Sequence, residues 1–245
     1  MISTVKKLRP AKVRTALRRR WFEYRLQRLK LEPIDGLEQL GTDYGGWIVP
    51  TGAIGEGWTC YCVGAGGDIT VDAELIQRCR ATVRCFEPDE EYAQRARAHG
   101  AKFPGFSCHQ VAVAANDGPV RMQRTHIPNS RSLSPADLYD THDYVEVQGR
   151  TLESLMRELG DHEVQLLKLD IEGGEYDVVP KLDLRGMGTR VFSTQLHHTG
   201  SVREARQLIA HVCAQGFRLV ANLPAVKLTF VRDDFAAAAR DRRAA

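Results

Sequence analysis

The sequence predicts a doubly wound α/β sheet, and three observations carry that prediction. From Trp58 onward, short apolar runs alternate with stretches of helical period. A glycine-rich turn, Gly64-Ala65-Gly66-Gly67, directly follows the first run. Two later runs, residues 164–169 and 190–196, are apolar enough for strands covered on both faces.

Taken in order, Thr59-Cys60-Tyr61-Cys62-Val63 reads as the first strand, followed by the glycine turn and a helix over residues 71–80. Residues 82–86 form a second strand that ends at Glu87-Pro88, with a helix over 91–99 and a strand over 106–113 behind it. Strands at 164–169 and 190–196 flank a short connection over 176–182. A helix over 201–215 is closed by Gly216, and 217–220 with 226–231 make a final hairpin. Residues 119–144 break the alternation. There 120–123 and 145–147 are expected to pair around a long loop containing Asn129, Ser130, Arg131, Ser132 and Pro135. A loop of that length is functional or disordered, and a lid over substrate or cofactor is the preferred reading.

Composition, with 43% apolar and 27% charged residues, excludes collagen-like, mucin-like and wholly disordered chains. No run reaches the ~18 apolar residues of a spanning helix, and the first twenty residues lack the apolar core of a secretory signal. The expected location is the cytoplasm, peripheral to a membrane if the N-terminal arm binds one. The six cysteines are scattered and are read as reduced, mostly buried thiols.

Charge is unevenly spread. Residues 1–31 hold eleven Lys and Arg against Glu23 alone, a charge of +10, so the other 214 residues carry −7 of the chain's +3. The chain therefore divides into a basic amphipathic helix over 1–35, a body over 36–235 and an Ala-rich tail over 236–245 that frays. In the arm, Val13, Leu17, Trp21 and Tyr24 recur at helical spacing, and Phe22, Leu26 and Leu29 widen the apolar face. The helix either packs on its own domain or on a second subunit in a homodimer, or docks through residues 5–31 on an anionic membrane. Nucleic acid ranks last, because the body is acidic and shows no RNP, zinc-finger or helix-turn-helix signature.

Chemistry concentrates at predicted strand ends. Gly64, Ala65 and Gly66 let the backbone approach a ligand without obstruction, and the next helix offers its N-terminal amides. Glu87, about twenty residues on, is placed to accept both hydroxyls of a ribose. Together they predict nucleoside binding. The third glycine of a dinucleotide site, which packs helix on strand beside the pyrophosphate, falls here at Asp68 or its neighbour, and a carboxylate there would repel pyrophosphate. A sulfonium tolerates nearby acids, so S-adenosylmethionine is favoured over NAD. Lys168-Leu169-Asp170-Ile171-Glu172-Gly173-Gly174-Glu175 gathers three carboxylates at the end of a buried strand. Gln195-Leu196-His197-His198 ends the following strand, and one of its histidines should share a crevice with Asp170. A neutral imidazole there, with pKa near 6.5, could take a hydroxyl proton; the alternative is that Asp, His and Glu hold a divalent cation, and the metal-free version is preferred.

Four segments, Cys85-Phe86-Glu87-Pro88, Val-Ala-Val-Ala-Ala-Asn-Asp-Gly over 111–118, Thr151-Leu152-Glu153-Ser154-Leu155 and the 168–175 motif, together resemble the FkbM-type methyltransferases in sequence and order. The resemblance covers residues 58–200. It implies the class I S-adenosylmethionine fold, a Rossmann-like seven-stranded sheet with one antiparallel strand, and O-methylation of a sugar, glycolipid or other small metabolite. It would set Gly64 and Gly66 against the methionine part, Glu87 on the ribose and the region 112–117, with Ala112 and Val113, around the adenine; Ala65, Asp68, Pro88 and Asp170 complete the candidate cofactor-binding residues. The first motif departs from the family, with Cys62-Val63-Gly64-Ala65-Gly66-Gly67-Asp68 where Asp-Val-Gly-Ala-Asn-x-Gly is common. Asp170, His197 and His198 are the candidate catalytic residues, with His197 ranked ahead of His198. Two other classes remain open: a cofactor-free scaffold on the same fold, and a nicotinamide-dependent oxidoreductase.

Overall fold

The computed structural model describes residues 10–43, 45–125, 130–136 and 142–235. The N-terminal residues 1–9 of the arm and the tail expected to fray over 236–245 lie outside the described residues.

Helix α1 (Pro10–Leu26) is followed by two short antiparallel strands, β1 (Leu37–Leu40) and β2 (Trp47–Pro50), in a segment where the sequence suggests no element. The central sheet begins with β3 (Thr59–Val63), α2 (Thr70–Cys79), β4 (Thr82–Phe86), α3 (Glu90–Gly100) and β5 (Phe106–His109). Apolar runs make these strands, and local chemistry bounds the helices. Asp89 accepts from the Tyr92 amide to cap α3, and Arg80 in a left-handed conformation ends α2.

The run expected to be one strand over 106–113 is two. A tight turn, with the Val111 amide donating to the His109 carbonyl, redirects the chain, so that β6 (Ala112–Val113) joins a separate sheet. That sheet also contains β7 (Gly118–Arg124), β8 (Leu133–Ser134) and β9 (Tyr144–Arg150), in the order β6-β9-β7-β8. Pairing of β7 with β9 sets Val120 opposite Val147 and Met122 opposite Val145, the pairing anticipated from the sequence.

The chain then returns through α4 (Leu152–Leu159), β10 (Leu166–Leu169), α5 (Glu175–Val178), β11 (Val191–Gln195), α6 (Val202–Ala214), β12 (Phe217–Leu223) and β13 (Lys227–Arg232). Ser201 and Glu204 form a reciprocal capping box at the start of α6. Seven strands line up as β12-β13-β11-β10-β3-β4-β5, and only β13 runs antiparallel to its neighbours. This is the Rossmann-like mixed sheet that the sequence predicts. Alternate residues of its central strands enter different cores: Tyr61, Val63, Leu167, Leu169 and Phe192 one, Cys60, Cys62, Leu166 and Val191 the other. All six cysteines are free and four are buried.

The arm's helix packs on its own domain, but not through the expected stripe. Phe22 and Leu26 are the buried pair, whereas Leu17, Trp21 and Tyr24 face outward. Among the described residues, no helix is long and apolar enough to cross a membrane.

Candidate functional site

The connections from β3 and from β10 leave in opposite directions along the sheet, which opens a crevice between these two neighbouring strands at their C-terminal ends. A cavity of about 910 Å³ lies there. Gly64, Ala65, Gly66, Asp68, Glu87, Pro88, Ala112, Val113 and Asp170 all line it.

The glycine turn serves two purposes. Gly64, at φ +78°, stands where a Cβ would lie 1.9 Å from the Asp170 carbonyl oxygen, so its lack of a side chain lets β3 pass the end of β10. At Gly66, φ +55°, a Cβ would meet nothing within 4 Å; this glycine borders open space. Its amide donates to Glu87 Oε2 at 2.9 Å, and the Asp89 amide donates to Oε1 at 2.9 Å. Glu87 is 5% exposed. Burial raises its pKa despite the Gly66 and Asp89 amides. A carboxylate has about four acceptor positions, so two stay available toward the cavity. Asp68 is engaged by the Thr70 amide and hydroxyl through Oδ1 and by the Thr42 hydroxyl through Oδ2. Burial acts to raise its pKa, but the Thr70 and Thr42 hydrogen bonds outweigh it and hold the carboxylate ionised.

Asp170 follows β10 and turns Oδ1 inward without any hydrogen-bond partner. Burial raises its pKa, reinforced by Glu172 and Glu175 and opposed by His197 and Lys168. Beside it, Glu175 Oε1 accepts from the Ile171 amide at 3.2 Å, the Gly173 amide at 3.3 Å and His197 Nδ1 at 2.9 Å. His197 Nε2 is thereby directed to Glu172 Oε2 at 3.3 Å and Asp170 Oδ1 at 4.0 Å. One donor atom each from Asp170, Glu175 and His197 falls within 4.8 Å of the others, a spacing a divalent ion can share.

The expected neutral imidazole needs correcting. Burial alone would lower the His197 pKa, but Glu175 and Glu172 outweigh it and hold the ring charged well above its ordinary range. Neither His197 nor His198 lines the cavity. His197 lies behind Asp170 and Glu172, and His198 sits by α1, its pKa lowered by burial and then by Arg19, His197 and Arg18.

Residues not singled out from the sequence complete the wall. Two ammonium groups lie over Trp47, Lys168 Nζ 5.6 Å and Lys227 Nζ 5.3 Å from its ring centroid. Lys168 donates to the Gly64 carbonyl at 3.1 Å, and Lys227 to the Gly46 carbonyl at 3.4 Å. Burial, with Lys168 adding, lowers the Lys227 pKa against the pull of Asp170. Because β13 is antiparallel, its first residue reaches the edge where the parallel strands end, and Lys227 pairs in register with Gln195. Strand direction is the signal that would have found it. In the insertion, Ser130, Ser132, Leu133 and Pro135 line the cavity. Arg131 Nε donates to Asp89 Oδ1 at 2.9 Å, and the Ser134 hydroxyl to the Glu172 carbonyl at 2.6 Å. The expected lid is a wall in this structure; its residues 126–129 and 137–141 lie outside the described residues.

A family model described as a methyltransferase FkbM domain matches residues 64–219, more than half of the chain. No curated protein matches it significantly. Among solved structures, a Methanococcus jannaschii fibrillarin pre-rRNA processing protein is similar at 9% identity and TM-score 0.46, over 84% of this chain and 86% of that one. A ribosomal protein L11 methylase from Lactobacillus delbrueckii subsp. bulgaricus is similar at 12% identity and TM-score 0.39, over 89% of this chain and 79% of its own. Both likenesses are too distant to bear on activity.

Proposed function

The chain belongs to the methyltransferase FkbM family, and from that premise we propose that it transfers a methyl group from S-adenosylmethionine to a hydroxyl oxygen of a sugar, glycolipid or other small metabolite. The observation that carries the reading is Asp170, a carboxylate at the end of β10 that lines the same cavity as Gly66 and Glu87. The residues present suit the cofactor. Glu87 keeps two acceptor positions for a ribose diol, Gly66 leaves open space, and the acids Asp68, Glu87 and Asp170 suit a cation.

When bound, the cofactor supplies an electrophilic methyl carbon on a positively charged sulfur. Glu87 accepts the ribose hydroxyls, the Gly64–Gly66 backbone borders the methionine part, and Ala112 and Val113 flank the adenine. Asp170 would take the acceptor's hydroxyl proton on its other carboxylate oxygen, since Oδ1 is buried toward His197. Burial raises the Asp170 pKa, which makes the carboxylate a stronger base than an exposed one. His197 acts through Asp170: anchored by Glu175, its charged ring lies 4.0 Å from Oδ1 and opposes the rise of the carboxylate's pKa. Orientation of the hydroxyl then provides much of the acceleration.

Calorimetric titration with S-adenosylmethionine and S-adenosylhomocysteine, with NAD as control, tests the cofactor. Saturable binding that Glu87→Ala weakens more than Asp170→Asn is the expected result. A folded protein that binds neither, or prefers NAD, refutes it. A screen of hydroxylated sugars and metabolites with labelled methyl donor then tests the acceptor class, with turnover lost in Asp170→Asn.

A further inference from the structure

Helix α1 has one face committed to the domain and another left to solvent. Phe22 and Leu26 join the core, Asn222 Nδ2 donates to the Leu26 carbonyl at 2.9 Å, and Arg18 Nη2 donates to the Thr199 carbonyl at 3.1 Å. Opposite them, Leu17, Trp21 and Tyr24 are 61%, 56% and 51% exposed. With 3.6 residues per turn, this stripe is centred roughly 150° around the helix from the buried pair.

The exposed stripe is apolar at its centre and cationic at its flanks. The Arg25 guanidinium lies 5.6 Å from the Trp21 ring centroid and that of Arg28 lies 4.3 Å from the Tyr24 ring centroid, with exposed Arg20 on the same side. Rings and aliphatic groups that enter a lipid interface, with guanidinium groups at headgroup level, are the chemistry of a helix lying in a membrane surface. The charge distribution orients the molecule as well: an anionic surface attracts the +10 arm and repels the −7 remainder. Arg19 of the same helix lines the cavity from the domain-facing side, roughly 40° around the helix from the buried pair.

We propose that the outward face of α1 docks the protein on a bilayer containing anionic lipids. This binding is independent of methyl transfer. Nucleic acid would engage the arginines without using Leu17, and a second copy would use the stripe without needing anionic lipid.

The test uses the full chain and sedimentation with vesicles of phosphatidylcholine alone or mixed with phosphatidylglycerol. Binding should require phosphatidylglycerol and fall as salt is raised. The triple variant Leu17→Ala, Trp21→Ala and Tyr24→Ala should bind at least tenfold more weakly. Arg20→Gln and Arg28→Gln should each weaken binding about fivefold. These side chains face solvent, so the variants should melt with the wild type, and a melting curve checks this. Failure of the wild type to sediment with phosphatidylglycerol vesicles overturns the proposal, as does equal binding by the folded triple variant. A wild-type dimer that the triple variant makes monomeric, without vesicle binding by either, assigns the face to a subunit contact and also overturns it. Retention by a short DNA duplex without vesicle binding does the same in favour of nucleic acid.

Discussion

Alanine at Gly64 and at Gly66 should fail in different ways, although both glycines lie in one turn and both have positive φ. At Gly66 the added methyl meets no protein atom within 4 Å, so the protein bears only the left-handed backbone, about 1–2 kcal/mol for an L-residue. For a chain of this size that is a fall in Tm of about 2–8 °C. The methyl would project into the space read as the cofactor's, and affinity for S-adenosylhomocysteine should fall at least tenfold. At Gly64 the methyl would stand 1.9 Å from the Asp170 carbonyl oxygen. Asp170 cannot readily yield, because its own amide donates to the Val63 carbonyl at 3.2 Å. Two central strands would have to separate, and a loss above about 4 kcal/mol is expected. Thermal melting and calorimetric titration of the two variants, side by side, check both expectations. A folded Gly66→Ala protein with wild-type affinity would show that the cofactor does not pass this turn, and a Gly64→Ala protein as stable as wild type would refute the packing argument.

Asp72, buried with Oδ1 unpartnered, has its pKa pushed up to about 6 by burial. A carboxyl that holds its proton more tightly when folded stabilises the fold below the unfolded value near 4 and loses that contribution as pH rises to 6. Asp72→Asn should therefore raise stability at pH 7, by up to about 3 kcal/mol, and flatten the denaturation midpoint between pH 4 and 6; an unchanged pH dependence would refute it. For His197, an NMR titration should give a midpoint well above 6.5 in the wild type and a lower one in Glu175→Gln, since Glu175 both accepts from Nδ1 and faces the ring charge. Equal midpoints would remove Glu175 from the account.

The central sheet was legible because buried parallel strands are unbroken apolar runs and their helices have clear ends, as at Ser201 and Gly216. Strands β1 and β2 were not, because four residues are too few to establish a period and only one of four in β1 is buried. In α1 the period was legible but its direction was not: Leu17, Trp21 and Tyr24 are as apolar as Phe22 and Leu26, and only the docked domain distinguishes the two sets. Gly64, Gly66, Glu87 and Asp170 could be placed from the sequence because each stands at the end of its own strand or in the turn just after one. The His197 charge could not, because it depends on Glu172, in the turn after β10, and Glu175, at the start of α5, converging on the ring. Lys227 and Trp47 escaped notice for a similar reason, since an isolated lysine or tryptophan carries no spacing signal.

The reversal of β13 bears on how such a cavity can change over time. Glu87 and Lys227 stand at the ends of strands four places apart in the sheet, roughly 19 Å. The Glu87 end is assembled from neighbouring segments, all inside the span the family shares. Trp47 and Lys227 come from the two flanks of the chain, both beyond residues 64–219. Substitutions in those flanks can therefore reshape one end of the cavity while the glycine turn and Glu87 stay as they are, so under the proposed function the acceptor could change without disturbing the residues assigned to the cofactor.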